Sequence, residues 1–155
     1  MTDLSDLVSP DAIVSGAPIS SKKKLFQLLS ATAAEAYGLD ARIVADRLTD
    51  REKLGSTGFG AGIAIPHAKI EGLRHVVGVF VQLEQPLDFA AVDELPVDLV
   101  FALLSPVGAG AEHLKALARV SRRLRDRIFA DKLRGAGSAD AIYAMLTAVE
   151  TRDAA

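Results

Sequence analysis

The stretch Arg51 to His67, REKLGSTGFGAGIAIPH, carries four glycines and delivers a histidine directly after a proline. Gly55, Gly58, Gly60 and Gly62 let the backbone turn tightly and approach its neighbours, and Ile63 to Ile65 supply a short apolar run that anchors the chain beyond it. Pro66 locks its own φ and biases Ile65 toward extended backbone, so the imidazole of His67 leaves the end of a strand in one direction. A soft loop with a fixed exit is a way to hold a nucleophile.

Working outward, Ser20 or Ser21 caps a helix to about Tyr37 with Leu25, Leu28, Leu29, Thr32, Ala33 and Ala36 on one face. Gly38 ends it, and Asp40 caps a second helix to about Lys53 with Ile43, Val44 and Leu48 inward. Residues ahead of the first helix read as loosely specified. Beyond His67, His75 to Leu83 and Val97 to Leu104 read as strands, the second an apolar run between Pro96 and Pro106 that suits a central position. After Gly108 and Gly110, a long helix places Leu114, Leu117, Ala118, Ser121, Leu124 and Ile128 on one face. Its other face, with Lys115, Arg119, Arg122, Arg123, Arg125 and Arg127, reads as a solvated surface. Ser138 caps a last helix holding Ile142, Met145, Leu146 and Val149. Interleaved helices and strands without repeats or linkers predict an α/β sandwich, a small mixed or parallel β-sheet flanked by helices.

Half of the 155 residues are apolar, enough for one core, so a single domain over residues 1–150 with a disordered tail at 151–155 is expected. No apolar run approaches the roughly 18 residues that cross a bilayer, and MTDLSDLVSP lacks the regions of a secretory signal. A soluble, cytoplasmic protein without membrane insertion is the expectation. The lack of cysteine removes disulfides, thiolate metal sites and cysteine nucleophiles, and a formal charge of −2 gives no global pull toward nucleic acid.

Three chemistries compete for the histidine segment. A dinucleotide loop needs a strand before the glycines and a helix after them, whereas here a helical pattern precedes and an extended IAIPH comes after; the P-loop lysine is also lacking. His67, His75 and His113 show no short ligand spacing, so no metal or other cofactor is assigned. What remains is covalent: a neutral imidazole accepts a phosphoryl group on one nitrogen while a hydrogen bond holds the other. Such a site needs donors or positive charge around the phosphoryl oxygens. Arg51 stands where the chain enters the loop, His113 sits in the first turn of the long helix, and Ser56 and Thr57, ahead of Gly58, offer hydroxyls. Phe59 at the loop tip and Ile63 are expected to form an apolar edge for a docking partner, with Phe59 packing back over the loop as the alternative.

The same residues carry a resemblance. REKLGSTGFGAGIAIPH resembles the active-site motif of the EIIA components of the fructose and mannitol class of the bacterial phosphoenolpyruvate-dependent phosphotransferase system. With VGVFVQL, LPVDLVFALLSP and the EHL segment it is most similar to the nitrogen-related EIIA, the regulatory branch, from about Leu25 to Val149. The resemblance implies the EIIA fold and a phosphocarrier whose His67 takes phosphate, as a tele-phosphohistidine, from an HPr-like protein (NPr). The arginine of REK and the histidine of EHL map to Arg51 and His113, which the family places beside the active histidine. His75 matches no catalytic position, and Lys69 is given no catalytic role. A sugar-specific EIIA hands its phosphate to an EIIB during uptake; the regulatory branch acts on partners according to its phosphorylation state, with a sensor kinase, a potassium transporter or a stringent-response enzyme as target classes. A module that binds partners without carrying phosphate is the reading from outside this chemistry.

Overall fold

The computed structural model describes residues 4–148; Val149, the domain limit at residue 150 and the tail at 151–155 lie outside them. In chain order the elements are β1 (Val8–Ala17), α1 (Lys22–Tyr37), α2 (Ala41–Lys53), β2 (Gly58–Gly60), β3 (Ile63–Ala64), β4 (His67–Ile70), β5 (Val77–Leu87), β6 (Val97–Pro106), α3 (Gly110–Arg125), α4 (Arg127–Gly135) and α5 (Ala139–Thr147). The sheet is mixed, in the order β1-β5-β6-β3-β2, with β4 also on β6. β5 and β6 run antiparallel at its centre, while β1 joins β5 and both β3 and β4 join β6 in parallel. Helices flank it: α1 packs on β1 and β5, α2 on β4, α3 and α4 on β6, and α5 on β1.

β6 is buried from Leu99 through Ser105, as the apolar run between the two prolines predicts. Phe80 of β5 meets Phe101 of β6 edge-on at 6.1 Å, and both rings are fully buried, each contributing about 1.5–3 kcal/mol through apolar burial. The caps are where the sequence puts them: Ser21, Asp40 and Ser138 each accept backbone N–H groups at the start of α1, α2 and α5.

Four expectations are corrected. The chain ahead of α1 is an ordered edge strand, β1, whose Ala12, Ile13 and Ala17 are buried although Pro10, Asp11 and Gly16 break the alternation. Tyr37 at the end of α1 fixes it, accepting from Ser9 N–H at 3.0 Å and donating to the Gly78 carbonyl of β5 at 2.6 Å. The glycine segment is a small antiparallel hairpin, β2–β3, added to the sheet. The long helix stops at Asp126, which takes up extended backbone and whose carboxylate caps α4 through Ile128 and Phe129 N–H. Past that break Ile128 is 71 % exposed; within α3 the buried face is His113, Ala116, Val120 and Leu124, which leaves Leu114 66 % exposed. In α2, Ile43 is also outward, at 44 % exposed, leaving Val44 and Leu48 inside.

Candidate active site

The site forms where one edge of β6 changes partner. β3 covers Leu99 and Val100, β4 covers Leu103 to Pro106, and between them Ile65 and Pro66 interrupt the ladder. The Pro66 carbonyl still accepts from Leu103 N–H at 2.8 Å, and Ile65 N–H donates to the Thr57 carbonyl at 3.0 Å, so the interruption is pinned on both sides. His67 opens β4 opposite Leu103 and is half-buried.

Its two ring nitrogens have different partners. Nδ1 lies 2.8 Å from the Ile65 carbonyl, which only accepts, so Nδ1 carries the proton. Arg51 Nε donates to Nε2 at 3.3 Å, which requires a lone pair there. Both contacts select one neutral tautomer, with the proton on Nδ1 and the lone pair on Nε2. Burial pushes the imidazole below its ordinary range; the Ile65 bond pulls it up, Arg51 pushes it further down, and Glu52 pulls it up again.

Arg51 reaches the ring from the last turn of α2 and is steadied by its own loop, donating to the Gly55 carbonyl at 2.9 Å. His113 closes the other side from the first turns of α3, with ring centroids 5.4 Å apart and planes 51° apart. Its Nδ1 is hydrogen-bonded to the fully buried Ser105 of β6. Burial, His67 and Lys69 all push His113 down, so the pair stays uncharged near neutral pH.

Ser56 and Thr57 face the protein rather than the ring pair. Ser56 Oγ donates to the Phe89 carbonyl and accepts from Gly58 N–H, while Thr57 Oγ1 donates to Glu52 at 2.6 Å. Glu52, which sequence reasoning passed over, also accepts from Thr57 N–H and pairs with Lys22 at 2.9 Å, tying α1, α2 and the loop together. Gly58 lies against the loop after β5: a Cβ there would stand 2.9 Å from Ala91 Cβ. Gly62 has φ +82 and leaves room for Arg134, whose Nη2 donates to the Ala61 carbonyl at 2.6 Å and whose Nε binds Asp98. Phe59 is half-buried against the core with the Arg125 guanidinium 5.4 Å from its ring centre. Ile63 is only 1 % exposed, paired with Leu99, so the expectation that it edges a docking surface fails on burial.

The apolar surface is elsewhere: Leu54 is 84 % exposed just past Arg51, and Leu114 follows His113. Leu114, Leu117, Ala118, Ser121, Arg122 and Arg125 line a shallow groove along α3 of about 520 Å³. The basic face is therefore divided. Arg119 pairs with Asp6 and Arg123 reaches the Met145 and Ala148 carbonyls, whereas Arg122 and Arg125 border the groove. His75 is exposed in the turn before β5 and lines a separate cleft with Arg74 and Lys115. Among the described residues no helix is long and apolar enough to cross a membrane.

Residues 6–149 match the family model described as phosphoenolpyruvate-dependent sugar phosphotransferase system, EIIA 2. The chain belongs to this family. A relative in Bradyrhizobium diazoefficiens named nitrogen regulatory protein is 51 % identical over 143 residues, covering 92 % of this chain and 94 % of the relative. Among solved structures, the nitrogen regulatory protein IIA-Ntr from Neisseria meningitidis superposes with a TM-score of 0.86 at 34 % identity, covering 93 % of this chain and 99 % of that one. The mannitol IIA from Escherichia coli shares the fold, with a TM-score of 0.75 at 21 % identity over 89 % of this chain and 97 % of that one. This EIIA chain is thus a phosphotransferase-system component with nitrogen-regulatory relatives, and the separation of Arg51, His67 and His113 along the sequence is closed by α2 packing on β4, β4 pairing with β6 and α3 packing on β6.

Proposed function

We propose that His67 is the phosphoryl acceptor of a cytoplasmic phosphocarrier that takes its phosphate from a phosphohistidine on an HPr-like protein such as NPr. The supporting observation is the tautomer: Nδ1–H is engaged by the Ile65 carbonyl and the Nε2 lone pair faces Arg51, with the His113 ring centre 5.4 Å from that of His67. In the step, Nε2 forms a bond to phosphorus as the donor's N–P bond breaks, and that electron pair remains on the departing imidazole. The proton stays on Nδ1, hydrogen-bonded to the Ile65 carbonyl, and Arg51 and His113 meet the charge on the phosphoryl oxygens. Ser56, Thr57 and Gly58 support the loop.

The donor docks on the apolar surface around the site: Leu54, Leu114, the α3 groove and Phe59. A phosphate on Nε2 brings close to two negative charges to this surface, so a partner fitted to one form rejects the other. Regulation of target proteins by phosphorylation state is the consequence, in line with the names of the relatives above.

The test is reconstitution with phosphoenolpyruvate, the first enzyme of the system and the HPr-like carrier. An acid-labile adduct on the wild type that vanishes in His67→Ala is the expected result. No adduct would leave a binding module, and rapid transfer onward to an EIIB would move the chain to the sugar-uptake branch.

A further inference from the structure

Resting on the phosphocarrier reading above, we propose that Ser105 is a positioning residue that selects the tautomer of His113, so that the two neighbouring imidazoles are held as opposite tautomers. One then offers a lone pair to phosphorus and the other a proton to a phosphoryl oxygen.

Ser105 lies in β6 opposite Lys69, has no exposed surface, and among the described residues its Oγ meets only His113 Nδ1. A hydroxyl has one proton and two lone pairs, and a buried O–H without an acceptor costs more than an unused lone pair. If His113 donated from Nδ1, the hydroxyl proton would have nowhere to go. Ser105 therefore donates and His113 accepts at Nδ1. A neutral imidazole that accepts at Nδ1 carries its own proton on Nε2. With Nδ1 turned to the buried serine, that N–H is on the opposite ring edge and free to meet a phosphoryl oxygen held over His67, whose ring centre is 5.4 Å away.

His67 is set the other way because its Nδ1 faces a carbonyl, which can only accept. The pair is thus sorted by the chemistry of two fixed partners, a backbone C=O and a side-chain O–H. Neither ring needs a net charge for the site to provide both a nucleophile and a donor.

The experiment reads side-chain ¹⁵N shifts of the unphosphorylated full chain at about pH 8, above the ordinary imidazole range. His67 is expected with its proton on Nδ1 and His113 with its proton on Nε2. In Ser105→Ala the His113 spectrum shifts toward a mixture of tautomers while His67 keeps its own, and transfer from the phosphorylated carrier slows roughly tenfold in kcat with little change in KM. Ser105→Thr, which keeps the hydroxyl, restores the Nε2–H form of His113. A wild-type His113 protonated on Nδ1, or a Ser105→Ala protein with unchanged tautomer and rate, overturns the proposal while leaving the phosphocarrier standing. A wild type that accepts no phosphate removes both.

Discussion

β4 and the β2–β3 hairpin flank the same interruption in the sheet, but they are held by different forces. β4 is stitched to β6 in unbroken parallel register from His67 to Ile70. The hairpin has only two paired positions with β6, extended by Asp98 and Leu99 N–H donating to the Gly62 carbonyl, and its flanks are fastened largely by side chains: Thr57 to Glu52, Ser56 to the Phe89 carbonyl, Asp93 to Ala61 N–H and Arg134 to the Ala61 carbonyl. His67 is placed by a continuous backbone ladder, whereas the hairpin beside it depends on replaceable side chains as well as a few backbone bonds. Changes near β4 should alter chemistry, and changes in the hairpin should alter recognition.

The largest effect expected short of losing His67 itself is from Arg51→Ala. Removing the only guanidinium that touches Nε2 among the described residues should slow phosphoryl uptake by about 10²-fold, measured by single-turnover quench. The same variant should raise the titration midpoint of His67, because Arg51 helps to hold it down. In the wild type both His67 and His113 are depressed below 6.5, so their neutral forms persist into mildly acid solution. Each contributes stability that is present above the unfolded midpoint and lost as pH falls through the folded one. A rate that fell already above pH 6.5 would contradict this.

His113→Ala comes next. His67 should still become phosphorylated, but uptake from the carrier, onward transfer and the lifetime of the phosphate should each change by about tenfold or more, read by single-turnover quench and by following decay of the adduct. On the hairpin side, Gly62→Ala places a Cβ 2.5 Å from Arg134 Nη2 at φ +82 and should cost about 1–3 kcal/mol in denaturant unfolding. Its effect on transfer should be mainly in KM for the carrier; an equal fall in kcat would erase the distinction between the two regions. Phe59→Ala should give the smallest change, a severalfold weaker carrier affinity by calorimetry at unaltered kcat, and no change at all would remove Phe59 from the docking surface.

Local signals in the sequence were enough for the helices that begin with a capping side chain, and for β5 and β6, whose apolar runs have one sensible place. β1 was not legible, because an edge strand containing Pro10, Asp11 and Gly16 takes its order from β5 and Tyr37, both distant in sequence. The face of α3 was misread since His113 is polar, yet it is buried by a bond to Ser105 rather than by apolarity. Asp126 looked like part of a helix and acts as a cap, a choice made by backbone geometry that RRLRDRIF does not announce. Of the site, the motif and the family resemblance pointed to Arg51, His67 and His113. Glu52 and Ser105 stayed hidden: one is a charged residue in a helical pattern and the other a serine inside an apolar strand, and only their partners give them meaning.

The sheet presents His67 with its proton on Nδ1 and its lone pair on Nε2. Phosphorylating ¹⁵N-histidine-labelled protein through the carrier and locating phosphorus by ³¹P–¹⁵N coupling tests it directly. A single phosphohistidine at residue 67, bonded through Nε2, is expected. Phosphate on Nδ1, or on His75 or His113 instead, would contradict it.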